Sequence, residues 1–315
     1  MGFRRGHLYY FVTVAEEGQI TRAAQKLHIA QPALSHAMTQ LEGEVGIQLF
    51  ERHPRGVTLT PAGKAFLAKA RAACVAESDA ARTAEALARS TRGTLAVGFI
   101  GPPPSLSHPE LLAALAADYP ELEVSFQDLP FPCGATADWL AAVDVAICVA
   151  PRVEEGVCTR AIRIEPRALV ASRSHPLADR GELGVADVLD ETFVSYHPDV
   201  QQEWAGFHSL DDHRGSAPSS VTGDQALTSM HMLAVMSSGH AVTTVPLADA
   251  LVAKQVVPGA AVIPLADADP ARVSLVWCQD SPNRHVASLL ATAERLGPGP
   301  NGATRPVRAQ ARHSR

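Results

Sequence analysis

The sequence predicts a multidomain α/β protein: a small helical head closed by a β-hairpin, one long linking helix, and a body of two α/β lobes. Three observations predict it. Apolar residues in the first sixty positions recur at helical spacing and are broken by turn residues. Residues 61–92 contain no glycine after Gly63, and beyond Gly93 short apolar runs alternate with helical patterns. A chain of 315 residues has room for two or three domains, and a composition of 46% hydrophobic against 19% charged residues excludes long disorder for most of it.

Leu8, Phe11, Val12 and Ala15 form the stripe of a first helix, which Gly18 can end. Thr21 is placed to cap a second helix, with Ala23, Ala24 and Leu27 facing inward. After a break at His28 to Gln31, Pro32 opens a third helix whose Leu34, Met38, Leu41 and Val45 point in and whose Ser35, His36, Thr39 and Gly43 point out. Leu49–Glu51 and Val57–Leu59 then flank the turn Arg-His-Pro-Arg-Gly, a hairpin wing carrying Arg52, His53 and Arg55. Thr60-Pro61 starts the long helix, where Leu67, Ala70, Cys74, Ala81, Ala84 and Ala88 form a small-residue seam suited to pairing with a second copy.

From Gly93 the runs TLAVGFI, PELLAALAADY, LEVSFQDL, a helix near Asp138, and DVAICVA read as βαβαβ, hence a parallel sheet. The same texture restarts at ALVAS and continues through FVSY, SSVTG, a helix over ALTSMHMLAVMSS and the strand HAVTTVP. RVSLVWCQ and a helix from Arg284 to Leu296 remain to return to the first lobe. The boundaries expected are 1–60 for the head, 61–92 for the linking helix, and 93–296 for the body, with lobe I at 93–166 and 271–296 and lobe II at 167–270. Residues 297–315, rich in Pro, Gly and Arg without an acidic residue, are expected to be a disordered basic tail.

Charge is divided unevenly. The whole chain carries 27 Lys and Arg against 33 Asp and Glu, net −6, but the part through Arg92 has 12 against 8, or +4, and residues 93–296 have 11 against 25, or −14. A basic head on an acidic body points to nucleic-acid binding at one end. No apolar run approaches the roughly 18 residues of a membrane span and the N-terminus lacks a signal-peptide core, so the chain reads as cytoplasmic. Cys74, Cys133, Cys148, Cys158 and Cys278 are an odd, widely spaced set without a CxxC pair, which points to reduced thiols and no zinc site.

The segment from Gln19 to Leu67, QITRAAQKLHIAQPALSHAMTQLEGEVGIQLFERHPRGVTLTPAGKAFL, resembles the winged helix-turn-helix of LysR-type transcriptional regulators. The rest fits that family more loosely, as a linker helix and a two-lobe effector-binding domain of periplasmic-binding-protein type. The resemblance implies double-stranded promoter DNA, a small-molecule effector, a homodimer or homotetramer, and RNA polymerase as partners, with no cofactor, no metal and no enzyme activity. It places Gln31, Pro32, Ser35, His36 and Thr39 at the major-groove end of the recognition helix. His36 stands where the family more often has Arg. Thr21 and Arg22 would hold a phosphate at the start of the preceding helix, and Arg52 and Arg55 on the wing would meet the backbone or minor groove.

Ligands of open α/β sheets bind where strands end. The first strand ends at Pro102, Pro103 and Pro104, with Ser105 in a loop and Ser107 and Glu110 spaced as a capping box; the others end at Pro198 and Asp199, and at Asp224 and Gln225. Prolines lack N–H donors, so this rim suits a compact, partly apolar metabolite more than a dicarboxylate. The effector set expected is Pro102, Ser105, Pro130, Phe131, Pro198, Asp199, Gln225 and Thr243. Two other readings stay open here: a thiol-based redox sensor of the same architecture, and a small-molecule binding protein without DNA activity. No GxSxG or HExxH motif supports an enzyme, and the one GxGxxG match, Gly297–Gly302, follows no strand.

Overall fold

The computed structural model describes residues 5–54, 56–149 and 152–297. They divide into two compact units, with the boundary between Ala84 and Glu85 inside a helix. In the first unit, α1 (Arg5–Glu17) ends where Gly18 adopts φ +62° and donates its N–H to Val14 O at 3.1 Å. α2 (Ile20–Lys26) starts two residues earlier than a Thr21 cap requires: Gln19 flanks it, and Thr21 lies exposed in its first turn without a capping bond. α3 (Gln31–Val45) carries Pro32 in its first turn, where a missing N–H costs nothing, and Gly46 at φ +74° ends it. Leu34, Ala37, Met38 and Leu41 of α3 close a core around Phe11, whose ring lies 5.1 Å from Phe50 and 5.2 Å from Phe66.

The Glu42 carboxylate accepts the N–H groups of Leu49 (2.8 Å) and Phe50 (2.9 Å), which fixes the entry to β1 (Phe50–His53) against α3. β1 pairs antiparallel with β2 (Gly56–Leu59), so the arms reach two residues further toward the tip on one side and one on the other than the hydrophobic pattern suggests. Arg52 and His53 are therefore strand residues, paired with Val57 and Gly56, and not turn residues. Arg55 lies outside the described residues.

Thr60 caps α4 (Pro61–Arg92) by accepting the Gly63 N–H at 2.9 Å. Leu67, Ala70 and Cys74 of α4 pack into the head's core, so the first half of the expected pairing seam is used inside one chain. Ala81 and Ala84 stay exposed and Ala88 half-buried.

The second unit begins with the end of α4 and continues after Gly93 (φ +74°) with β3 (Thr94–Phe99), α5 (Pro104–Ser107), α6 (Pro109–Asp118), β4 (Glu123–Asp128), α7 (Thr136–Trp139), β5 (Val145–Val149) and β6 (Val157–Glu165). It continues through β7 (Arg167–Ser172), β8 (Phe193–Tyr196), α8 (Gln202–Ser209), α9 (Asp211–Arg214), β9 (Val221–Ala226) and α10 (Ser229–Ser237). β10 (Thr243–Pro246), α11 (Leu247–Val256), β11 (Ala260–Pro264), β12 (Ala271–Cys278) and α12 (His285–Leu296) complete it.

One sheet has the order β4-β3-β5-β12-β6, with β3 parallel to β4 and β5, and β12 antiparallel to β5 and β6. Its apolar runs are buried on both faces: Leu95, Val97, Val145 and Ile147 against α6 and α12, and Ala96, Ala146, Cys148 and Val276 on the other side. β6 and β7 are separated by Pro166 alone, and β7 begins a second sheet, β10-β7-β11. Both neighbours run antiparallel to β7, where the sequence texture suggests parallel pairing. The reason is topological: β10-α11-β11 is a crossover unit whose strands straddle a strand arriving from the first sheet in the opposite direction. β8 and β9 form a parallel pair, tied to the loop before β10 by the bridge Phe193–Val242. No helix among the described residues is long and apolar enough to cross a membrane. Gly297 follows α12; residues 298–315, where the basic tail is expected, lie outside the described residues.

Candidate functional site

Two sites emerge, one in each unit. On the head, Gln31, Pro32, His36, Thr39, Thr21, Arg22 and Arg52 are exposed and Ser35 is half-buried. Buried apolar neighbours at 34, 37, 38 and 41 turn these α3 side chains outward by helical geometry. Arg52 differs from its expected place on a free wing. Its Nη1 donates to Ser35 Oγ at 3.3 Å and its Nη2 to Thr39 Oγ1 at 3.2 Å, so β1 and α3 present one joined polar face. The signal for this is the alternation of β1: position 52 points to the same side as the turns of α3 once the strand is carried through to His53. A shallow groove also brings Arg52 beside Thr21, between the start of α2 and the wing.

In the second unit a cavity of about 320 Å³ opens between the end of β3, α5, α10 and α11. Its walls are mainly apolar: Phe99, Leu106, Met230, Met232, Met236, Val252 and Val256, with Pro102 and Pro103 at the rim. Phe131, Trp204 and His208 continue the wall as a stack, with ring centroids 4.3 Å apart for Phe131–Trp204 and 4.1 Å for Trp204–His208. Of the expected effector residues, Pro102, Phe131 and Thr243 line this cavity, whereas Ser105, Pro130, Pro198, Asp199 and Gln225 are exposed outside it. Ser105 belongs to the short helix α5 and not to a loop. The Ser107–Glu110 capping box does not form: Pro109 starts α6 after His108, and Ser107 Oγ is engaged by Pro103 O (3.2 Å) and His108 Nδ1 (2.9 Å).

The polar groups of the cavity are few. Thr243 Oγ1 lies 3.3 Å from His208 O, to which it donates, and 3.1 Å from the Tyr196 hydroxyl. His208 Nδ1 sits 2.6 Å from Thr244 O; a carbonyl can only accept, so Nδ1 carries the proton and Nε2 is a lone pair. Burial pushes that imidazole down to about 3, so it is neutral. His208 Nε2 and Trp204 Nε1 are buried without a hydrogen-bond partner. Asp249, in the first turn of α11, binds Arg163 Nη2 through Oδ1 at 2.9 Å, while Arg163 Nε binds Glu165 Oε1 at 2.8 Å. Burial pushes the Asp249 carboxyl up to about 7 against the pull of Arg163, with Glu165 adding to the rise.

Among the described residues no group of three or more His, Cys, Asp or Glu is arranged to hold a metal ion. Burial pushes the Cys148 thiol up to about 12 and raises those of Cys74 and Cys133, the opposite of what an oxidant-reactive thiolate needs.

Residues 6–64 match the model of the lysR family of bacterial regulatory helix-turn-helix proteins, and residues 88–296 match the LysR substrate binding domain. YnfL of Escherichia coli K12, an HTH-type transcriptional regulator, is 32% identical over 206 residues, 64% of this chain and 68% of YnfL. The HTH-type transcriptional regulator AlsR of Bacillus subtilis 168 is 27% identical over 244 residues, 76% of this chain and 79% of AlsR. Among solved structures, the LysR family transcriptional regulator CbnR superposes with a TM-score of 0.55 over 93% of this chain and 99% of its own, at 23% identity, a likeness of fold. With both family models matched in order along it, the chain belongs to the LysR family of bacterial DNA-binding transcriptional regulators.

Proposed function

We propose that the chain reads an operator through the joined polar face of α3 and β1, and that a compact, largely apolar effector in the cavity of the second unit controls that binding. The observation that carries the first half is the Arg52–Ser35–Thr39 cluster: polar side chains held together at the surface, on the side of α3 turned away from its buried Leu34, Ala37, Met38 and Leu41. In this reading Gln31, Pro32, Ser35, His36 and Thr39 meet base edges, and Thr21, Arg22, Arg52 and Arg55 meet phosphates or the minor groove. Residues 1–60 form the DNA-binding domain, 61–92 the linker and dimerisation helix, and 93–296 the effector domain, with lobe I at 93–166 and 271–296 and lobe II at 167–270. The protein acts in the cytoplasm, without catalysis, as a homodimer or homotetramer on an interrupted palindrome, because two-fold symmetry in the protein is mirrored in its site.

Footprinting on the DNA upstream of its own gene tests this directly, and protection of one isolated half-site would contradict it. Arg52→Ala removes two charge-assisted bonds that hold Ser35 and Thr39 in place, so specific affinity should fall by about tenfold or more, beyond the loss on random DNA. His36→Arg should gain a preference for guanine at one position, since a guanidinium can bond O6 and N7 together. Binding measured across a randomised operator library checks both, and equal weakening on all sequences would show that neither residue takes part in readout.

The second half rests on the lining of the cavity, which is apolar apart from Asp128, His208, Ser229, Thr243 and Asp249. Ala253 of α11 also lines the cavity, and filling it with Ala253→Trp should abolish the effector response in a reporter assay while leaving operator affinity without effector unchanged. A Cys133→Ser, Cys158→Ser, Cys278→Ser variant should keep the response, and its loss would favour a thiol sensor.

A further inference from the structure

On the reading that this cavity holds the effector, we propose that the effector is an apolar amine, a compact hydrophobic body whose ammonium group is bound by Asp249 within a field to which Asp128 adds. The charged residues among the lining are Asp128 and Asp249; no described Lys or Arg lines the cavity. The nearest cation, Arg163, is fully engaged: Nε on Glu165, Nη2 on Asp249 Oδ1, and Nη1 on Ser107 O at 2.5 Å. One guanidinium thus faces two carboxylates, and an unmatched negative charge remains. Asp249 Oδ2 takes no hydrogen bond among the described residues and stands 3.6 Å from where a Cβ on Gly101 would lie. Gly101 lines the cavity at φ +112°, a conformation that keeps a side chain out of that space.

The second unpartnered acceptor among the lining residues is His208 Nε2, a lone pair once Nδ1 is committed to Thr244 O. Acceptors without donors select a ligand that brings N–H groups. Against this stand the Trp204 indole N–H and the first turn of α10, which could serve an anion. That turn is partly satisfied, since Thr228 Oγ1 already accepts the His231 N–H, and Pro102 and Pro103 contribute no donor. With residues 93–296 at −14, the long-range field also favours a cation.

The test uses the full chain and matched probes: phenethylamine and cyclohexylethylamine, phenethyl alcohol as the neutral counterpart, and hydrocinnamate as the anion. Thermal melting and titration calorimetry should show the amines binding, the alcohol binding more weakly and the carboxylate producing no shift. Asp249→Asn keeps an acceptor for Arg163 but removes the charge, and should weaken amine binding by about tenfold or more. In the unmodified chain amine affinity should also fall about tenfold from about pH 8 to about pH 6, because the ammonium binds the carboxylate form and Asp249 takes up a proton near 7. Of the charged or titratable groups around it, Arg163 and Glu165 of β6 act on Asp249 directly, His108 beside α5 lies in a small pocket with it, Asp128 at the end of β4 and His208 of α8 line the cavity, Arg167 of β7 is paired with Asp212, and His231 of α10 and Lys254 of α11 are exposed.

If Asp249→Asn does not fold, the pH series and Asp128→Asn test the same dependence on negative charge. Absence of any amine shift, or a hydrocinnamate shift as large as the amine's, overturns the proposal. A hydrocinnamate shift that disappears in Ala253→Trp leaves the cavity as the effector site and removes only the amine; a shift that survives Ala253→Trp removes the cavity as well.

Discussion

Asp144→Ala is expected to destabilise the substrate-binding domain by about 3–5 kcal/mol, the range found when one partner of a buried ion pair is removed. The Asp144 side chain is fully buried and gathers four donors. Arg89 Nη2 reaches Oδ1 at 2.8 Å, while Arg89 Nε (2.9 Å), the Ala96 N–H (2.8 Å) and Asn283 Nδ2 (2.9 Å) converge on Oδ2. Alanine would take the acceptor from the strand N–H and leave the guanidinium only the more distant Glu85, at 3.8 Å, while Asn283 Nδ2 would keep its bond to Thr94 O at 3.0 Å. All three tryptophans, Trp139, Trp204 and Trp277, lie beyond residue 85, so urea unfolding followed by their fluorescence reports this unit. Adding Arg89→Met to Asp144→Ala should recover part of the loss, because the orphaned charge goes with it. A loss below about 1 kcal/mol for Asp144→Ala would mean that water replaces the carboxylate at no cost, contrary to its burial.

The same carboxylate carries a functional consequence. Arg89 is in the last turn of α4, Ala96 in β3 and Asn283 in the segment before α12, so one side chain pins the linking helix to the first sheet. Any shift of that sheet on ligand binding is passed to α4 through two charge-assisted bonds. Couplings between sites are commonly about 1–3 kcal/mol, which bonds of this strength can transmit. Asp144→Asn, which retains one acceptor oxygen, should therefore fold and bind operator while responding less to effector.

The head is legible in the sequence because its signals are local. The stripes of α1 and α3, Pro32 near the start of α3 and Gly18 at the end of α1 each act within a few residues. The body is legible where hydrophobic runs are buried on both sides, as in β3 and β5, and much less so in β6, which no sequence pattern reveals. Arg160, Arg163 and Glu165 make β6 look like a polar connection, yet their partners, Glu294, Asp249 and the N–H of Ala248, are distant in sequence. Strand ends are where the sequence places the effector residues, but the cavity lies against α8, α10 and α11. Met232 and Met236 read as ordinary helix core, and α8 and α11 show no periodicity strong enough to place Trp204 or Asp249. Arg52 looks like a free wing residue because the polar run at the hairpin tip is wider than the turn it contains; its bonds to Ser35 and Thr39 span 17 and 13 positions.

Gly63→Ala and Gly43→Ala make the same chemical change inside helices of the same unit, and are expected to have opposite signs. At an ordinary helix position alanine is favoured over glycine by about 1 kcal/mol, because glycine loses more backbone freedom on folding. Gly43 is such a position: it is exposed on α3, and a Cβ there meets nothing within 4 Å. Gly63 is buried in the first turn of α4, and a Cβ there would lie 2.1 Å from the Leu49 carbonyl oxygen and 3.0 Å from Leu59 Cδ2. That carbonyl cannot swing aside freely, since it accepts the Thr60 N–H at 3.0 Å and Thr60 Oγ1 also lies 3.3 Å from it. Relief must come from moving α4 away from the entry to β1, which opens the core at Leu67 and Ala70 and releases the wing that carries Arg52. Overpacking of this kind costs about 1–3 kcal/mol or more, enough to outweigh the helix gain. Hydrogen exchange on the full chain should show faster exchange across α1, α3 and β1 for Gly63→Ala, with operator affinity falling, while Gly43→Ala exchanges as slowly as the parent or more slowly. If the two variants moved the exchange of α1 in the same direction, helix propensity would govern both sites and the close packing of α4 against Leu49 would not be a determinant of the head.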